Sequence, residues 1–284
     1  MKKQAMFYEK LNDKIYCLLC PHNCVIESGH FGKCNVRIHE NGELFTINYG
    51  EITSSSLDPI EKKPLYYFRP SSKILSVGSF GCNFTCGFCQ NFSISQKVTK
   101  SEYISKENLV KSILATEDNI GIAFTYNEPS IWYEYVYDCA RLLKNTAPKK
   151  EVVIVTNGYI SEEPLKELLP YVDAMNIDLK SFNTGYYKNL CGGSLKPVLE
   201  TIKTATKACH VEVTTLLVSG ENDNLEEVEE IAKFLSFINC DIPLHLSRYF
   251  PRYKLENPPT DIEFMRNAEA VAKKYLNKVI LGNI

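Results

Sequence analysis

From residue 73 onward, short apolar runs alternate with longer amphipathic stretches. The runs at 73–78, 120–125, 151–155, 172–179, 210–218 and 242–247, with a further one at 278–281, are largely apolar. That is the pattern of parallel strands buried on both faces. Between them, apolar residues return every three or four positions. Ile131, Tyr135, Cys139 and Leu142 form one such stripe, and Leu225, Val228, Ala232 and Leu235 another. Each is the buried face of a helix. Six or seven β–α units in succession predict an α/β fold with a partial parallel barrel of the (β/α)6 type. Its functional residues should sit at the C-terminal strand ends. A doubly wound open sheet is the alternative arrangement of the same units.

Residues 1–70 follow a different pattern. Val36 to His39 and Leu44 to Asn48 flank Asn41-Gly42, a strong hairpin signal. The stretch from Ile52 to Pro70 is rich in Ser and Pro and reads as a linker. A small Cys-rich N-terminal domain, residues 1–70, is therefore expected before a barrel domain, residues 71–284. No internal repeat or low-complexity tract is evident.

The cysteines change the picture most. Cys82, Cys86 and Cys89 stand in the spacing C-x3-C-x2-C directly after the first expected barrel strand. Three thiolates can hold three irons of a cubic [4Fe–4S] cluster and leave the fourth without a protein ligand. An iron with an open position binds a substrate or cofactor directly, so the spacing points to chemistry. A zinc knuckle is the competing reading, but structural zinc takes four ligands. No fourth Cys or His lies in this loop.

A second group, Cys17, Cys20, Cys24 and Cys34, has the spacing C-x2-C-x3-C-x9-C, with Gly29 and Gly32 in the return. Four thiolates suit structural zinc, a second [4Fe–4S] cluster or an ancillary electron-relay site. His22 could replace one cysteine, although a surface position fits it better. Cys139 and Cys209 fall on core-facing positions, and Cys191 lies beside Gly192-Gly193 in an expected loop. The total of 11 cysteines is odd, and seven fall in these two groups, which suits metal ligation better than disulfides.

The chain has 284 residues and a formal net charge of −2. Nothing in that balance points to a nucleic acid or a membrane surface as partner. The first residues lack the apolar core of a signal peptide, and no apolar run approaches about 18 residues. A soluble, cytoplasmic protein is expected.

Polar residues cluster just past the expected strands. Thr125-Tyr126-Asn127-Glu128 follows one, Thr156-Asn157-Gly158 the next, Asp178-Leu179-Lys180 the next, and a later strand carries His245, Ser247 and Arg248. Each has a plainer reading. Glu128-Pro129 suits a helix start, Thr156-Asn157-Gly158 a turn, Asp178 and Lys180 an ion pair, and His245 a core residue. Together they would line one mouth.

These stretches carry a resemblance. Cys17 to Cys24, Asp58-Pro-Ile-Glu-Lys-Lys-Pro-Leu65, Gly81 to Asn91, Phe124-Thr-Tyr-Asn-Glu-Pro129, Val155-Thr-Asn-Gly158 and Asn176-Ile-Asp-Leu-Lys180 resemble radical SAM proteins of the pyruvate formate-lyase activating enzyme type. More narrowly, they resemble the radical SAM enzyme of the AmmeMemoRadiSam system. The resemblance implies that Cys82, Cys86 and Cys89 ligate a [4Fe–4S] cluster whose open iron takes S-adenosylmethionine (SAM), cleaved reductively to a 5′-deoxyadenosyl radical. It implies that Phe88 packs on the adenine and that Asn127 and Glu128 stand at the Gly-Gly-Glu element, with Glu128 receiving the SAM ammonium. Thr156 and Asn157 would lie near the methionine or ribose. Asp178 and Lys180 would line the SAM site, and His245 would match a late histidine, the one side chain with a possible catalytic part. An electron donor such as flavodoxin or ferredoxin and a protein or peptide substrate are implied as partners. Two departures stand out. Val155 replaces the Asp that activating enzymes place before Thr-Asn-Gly, and no further cysteine pair follows Gly282-Asn283, so no C-terminal metal site is expected.

Three functions follow as expectations. One is hydrogen abstraction from a backbone glycine of a partner protein. The second is the same chemistry on another protein site, a peptide, an RNA or a metabolite. The third is a non-catalytic metal-binding or electron-carrier protein.

Overall fold

The structure, a computed structural model, describes residues 2–284. Eight strands form its main sheet: β1 (Ser54–Pro59), β2 (Lys73–Gly78), β3 (Asn119–Phe124), β4 (Glu151–Thr156), β5 (Ala174–Asp178), β6 (His210–Leu217), β7 (Leu244–Arg248) and β8 (Val279–Gly282). They pair in chain order. From β2 to β8 every pairing is parallel, while β1 runs antiparallel to β2. β1 and β8 are the two ends of the sheet, which makes the barrel partial. The expected barrel strands are thus present, within about two residues of their expected bounds.

Parallel neighbours need crossovers. Six helices supply them: α1 (Lys106–Ala115), α2 (Tyr133–Thr146), α3 (Glu162–Leu168), α4 (Leu195–Ala205), α5 (Leu225–Ile238) and α6 (Ile262–Ala272). Local chemistry starts several of them. Side chains of Ser105, Asn224 and Asp261 accept backbone N–H groups of α1, α5 and α6. Such caps satisfy donors that the first turn leaves free. The period of two along the strands separates two cores. Phe124, Ile154, Ile177 and Val213 face the helices, while Ala123, Val153 and Ala174 form a separate cluster with Ile60, Leu65 and Ile74.

That inner cluster corrects one expectation. The stretch 52–70 supplies β1 to the main sheet and then Leu65 to the barrel interior. Small residues on β3 and β5 leave room for it. The backbone that follows is held by a buried carboxylate. Glu212, fully buried, accepts the Tyr66 N–H at 3.1 Å and the Tyr67 N–H at 2.8 Å. His210 and His245 bond the same carboxylate at 3.0 and 2.6 Å. Burial raises its pKa, but these hydrogen bonds outweigh burial and bring it down to about 2.

The N-terminal residues form two small antiparallel sheets. Lys14–Cys17 pairs with Tyr8–Leu11 and Val25–Ile26, and Glu43–Thr46 pairs with Lys3–Gln4 and Arg37–Glu40. Asn41 and Gly42 both adopt positive φ, +52° and +75°, as the two-residue hairpin turn requires. Arg37, 1 % exposed, forms an ion pair with Glu134 of α2 and donates to the Met6 carbonyl at 2.8 Å.

Glu212→Gln should weaken the seat of the 64–68 segment by about 1–3 kcal/mol, because the neutral amide meets N–H donors with an N–H of its own. The glutamate's folded pKa is depressed, so its contribution is full above the ordinary glutamate range, about 4, and is lost as pH falls toward about 2. The thermal midpoint of the variant should lie below wild type at pH 7, and the gap should shrink at pH 3. Equal midpoints at pH 7 would remove the anchoring part assigned to this carboxylate.

Candidate active site

The C-terminal strand ends enclose a cavity of about 360 Å³, within the range of small-molecule sites. Cys82, Cys86 and Cys89 line it, together with Glu128, Thr156, Asn157, Asp178 and Lys180. The cysteine loop follows β2 and has almost no regular structure, so other groups satisfy its backbone. Asn127 accepts the Ser79 N–H at 2.9 Å and donates to the Gly81 carbonyl at 3.1 Å. Asn83 donates to the Tyr159 carbonyl at 2.7 Å and accepts from the Asn157 amide at 2.9 Å. Gln96 donates to the Phe84 carbonyl at 3.0 Å, and the Thr85 N–H reaches the Cys191 carbonyl at 2.8 Å. Gly81 has φ +90°, and a Cβ there would lie 2.5 Å from Val36 Cγ1. Only glycine lets the loop pass so close to the N-terminal module.

The three thiols differ electrostatically. Burial pushes Cys82 well up, and the nearby Glu128 carboxylate adds to it, although the Phe84 N–H reaches its sulfur at 3.3 Å. Burial also raises Cys89, opposed by Ser95 Oγ at 3.2 Å. Cys86 moves the other way, first through a hydrogen bond from Cys191 and then, against burial, through the Lys180 ammonium. Cys191 is raised by the same bond, and burial adds to the shift. It lies in a helical turn at Tyr187–Cys191, fully buried, where the sequence suggests a loop.

Glu128 is 2 % exposed and accepts three hydrogen bonds. Its Oε1 accepts the Ser130 N–H at 2.9 Å and the Thr156 hydroxyl at 2.6 Å, and Oε2 accepts the Asn157 N–H at 2.8 Å. Burial pushes its pKa up, and these donors oppose it. The residue therefore caps the short helix Pro129–Trp132 and also faces the cavity. Asp178 and Lys180 form an ion pair at 2.5 Å on the cavity wall. The neighbouring Asp178 charge helps hold Lys180 above its ordinary pKa, against burial. Phe88 lines the same space, buried and 5.8 Å from the Tyr186 ring.

Asn127 and Asn157 line the cavity, but their amides are spent on the cysteine loop and the adjoining turn. Positioning is what their geometry shows. His245, expected beside a cofactor, is turned into the barrel interior. It bonds Glu212, packs 5.2 Å from Tyr66, and is not part of the cavity wall. Ser247, two positions on and on the same strand face, takes that place. Sequence reading missed Lys62, Lys63 and Thr214 on the wall, while Tyr126 stands there as its strand-end position implied. The Asp58-to-Leu65 stretch held the available signal. Lys63 pairs with Asp58 at 2.8 Å, and the Tyr126 hydroxyl donates to the same carboxylate at 2.9 Å.

The second cysteine group is also brought together, with Cys17, Cys20 and Cys34 buried and Cys24 half-buried. His22 is not free to join it. Its Nε2 meets the Asn83 carbonyl at 2.7 Å, and Nδ1 faces Lys33 Nζ at 3.5 Å. Among the described residues, no three His, Cys, Asp or Glu side chains converge tightly enough to hold an ion as they stand, in either cysteine group. No helix among them is long and apolar enough to cross a membrane.

The sequence profile of the Radical SAM superfamily matches residues 76–235, more than half of the chain. The uncharacterised protein MJ0808 of Methanocaldococcus jannaschii is 42 % identical, over 99 % of this chain and 85 % of that protein. MJ1632 of the same organism, provisionally described as a glycyl-radical enzyme activating enzyme, is 30 % identical over 72 % of this chain and 79 % of its own. Among solved structures, Streptococcus suis SuiB bound to its precursor peptide SuiA superposes with a TM-score of 0.58 at 14 % identity, covering 72 % of this chain and 47 % of SuiB, a likeness of fold. With the matched profile spanning the cysteine loop and the strand ends that face it, the chain belongs to the radical SAM superfamily.

Proposed function

We propose that this chain is an activating-enzyme-type radical SAM enzyme that abstracts hydrogen from a protein or peptide, with the AmmeMemoRadiSam group as its narrower assignment. Superfamily membership implies the enzyme class, the [4Fe–4S] cluster and SAM. The similarity to MJ1632 supports a protein substrate. One observation carries the reading. Three thiols, a buried carboxylate and a lysine–aspartate pair line a single cavity at the strand ends.

The residues fit the implied groups. Three thiols on one loop are soft donors suited to iron. The Lys180 cation on the same wall offsets part of the negative charge that thiolates bring. When bound, the cluster and SAM supply the 5′-deoxyadenosyl radical that removes the substrate hydrogen. The protein binds, orients and excludes water. Cys82, Cys86 and Cys89 hold the cluster. Glu128, fixed by Thr156 and Asn157, presents anionic oxygens to the SAM ammonium. Phe88 offers an apolar face to the adenine. Asp178 and Lys180 present one acceptor and one donor to the polar remainder of SAM, and Val155 leaves its part of the wall apolar. Asn127 and Asn157 keep the cysteine loop in register with Glu128. A flavodoxin or ferredoxin in the cytoplasm is the reductant this reading requires. A pure electron carrier would have no use for Glu128 or for the Asp178–Lys180 pair.

Anaerobic reconstitution with iron and sulfide, reduction and addition of SAM should yield 5′-deoxyadenosine, read by mass spectrometry. Cys86→Ala should abolish that product and lower the iron content; full activity in this variant would sink the assignment. Glu128→Gln keeps the shape but removes the charge. Its SAM dissociation constant, measured anaerobically at equilibrium, should rise about tenfold to a hundredfold, the value of a hydrogen bond to a charged group. Unchanged affinity would move the ammonium site elsewhere.

A further inference from the structure

We propose that Cys17, Cys20, Cys24 and Cys34 bind one zinc ion, and that this zinc knuckle holds the cysteine loop of the active site in place through His22. Three of the four cysteines are no more than 8 % exposed. The Cys17 N–H donates to the Cys24 carbonyl at 2.9 Å, which folds the Cys17–Cys24 run back on itself. Two of the sulfurs also have a donor aimed at them. Arg37 reaches Cys17 Sγ at 3.7 Å, and the Lys33 N–H reaches Cys24 Sγ at 3.5 Å. Buried thiols that merely fill a core need none of them.

A single ion, rather than an iron cube, is the occupant proposed. None of the four cysteines lines the active-site cavity. Four thiolates complete a tetrahedron and leave no open position, which is the structural form of zinc. The return strand is also close. A Cβ at Gly32 would stand 3.6 Å from Cys24 Sγ and 3.2 Å from Ile26 Cδ1, so the return segment passes close beside that sulfur. The thiols do not yet converge tightly, so closing on the ion needs side-chain rotation. The same holds for the cysteine loop of the active site.

The knuckle reaches the active site directly. His22 sits between two of the ligands, and its Nε2–H donates to the carbonyl of Asn83, the residue after Cys82. Its ring lies 5.0 Å from Tyr159, whose ring lies 4.9 Å from Phe84 in the same loop. Leu19 accepts the Ser161 N–H at 3.0 Å, which ties the knuckle to the turn after β4. Fixing four sulfurs to one ion therefore removes freedom from the segment that grips the cluster loop.

Metal analysis of the anaerobically purified holoenzyme tests this without SAM or reductant, so its failure leaves the active-site reading standing. One zinc per chain beside the cluster iron is expected, and Cys17→Ser/Cys34→Ser should lose the zinc. Doubled iron without zinc, or no second metal at all, overturns the site. Because the double variant may be unstable, His22→Phe gives a separate readout. It keeps the ring stack and the zinc but lacks the bond to Asn83. Its reduced cluster should show an altered electron paramagnetic resonance spectrum, and a chelator should strip its iron several-fold faster. Wild-type values for both overturn the coupling through His22.

Discussion

An irregular loop in a largely buried setting must find partners for its backbone, and the active site of this protein depends on how that demand is met. Unpaired N–H and C=O groups away from water are costly. Residues 79–91 cannot supply them from a ladder or a helix. Side-chain amides do so instead: Asn127 bonds two points of the loop, and Asn83 and Asn157 join it to the turn after β4. These amides come from two strand ends and from the loop itself. The loop is thereby indexed to the β3 and β4 ends, and with them to Glu128. An amide has one donor end and one acceptor end, which suits a backbone offering both. A carboxylate or an ammonium would satisfy only half.

The rest of the fold keeps those strand ends in place. Inside the barrel, Glu212 anchors the backbone at Tyr66 and Tyr67, and Leu65 fills the space that Ala123 and Ala174 leave. On the outside, Arg37 and Glu134 join the N-terminal module to α2 in a fully buried ion pair. Buried ion pairs add little net stability, because desolvation offsets attraction. A broken one is costly, however, so the pair fixes one docking geometry against alternatives. Gly81 then passes the N-terminal module at a distance no side chain permits. The small module, the 64–68 segment and the cluster loop constrain one another.

The sequence disclosed the periodic parts of this architecture. Apolar runs located the barrel strands, and the turn residues Asn41-Gly42 located a hairpin whose positive φ angles match them. The cysteine spacing pointed to the site. Three features were illegible for physical reasons. β1 is an edge strand, with Ser54-Ser55-Ser56 largely open to solvent, so it lacks the apolar run by which buried strands announce themselves. Lys63 belongs to the cavity wall through a contact with Asp58 that no period reveals. His245 was expected at the mouth, but it lies one layer deeper on the strand face that Ser247 shares. Alternation tells which side a residue faces, and only the register with Glu212 on β6 tells how far down the barrel it lies.

The electrostatics of Glu128 bear on the selectivity proposed for the site. Burial raises the pKa of this carboxyl, and the hydroxyl and N–H groups around it offset only part of that cost. No lysine or arginine bonds it among the described residues; its partners are neutral. The nearby aspartate and lysine neutralise each other and leave Glu128 uncompensated. A cation arriving in the cavity therefore relieves a strain already present, and the gain is greatest for one that fits beside both oxygens. Neutral molecules of the same shape obtain no such gain. In the proposed function, the burial that makes the carboxylate expensive is what would make it discriminate in favour of an ammonium group.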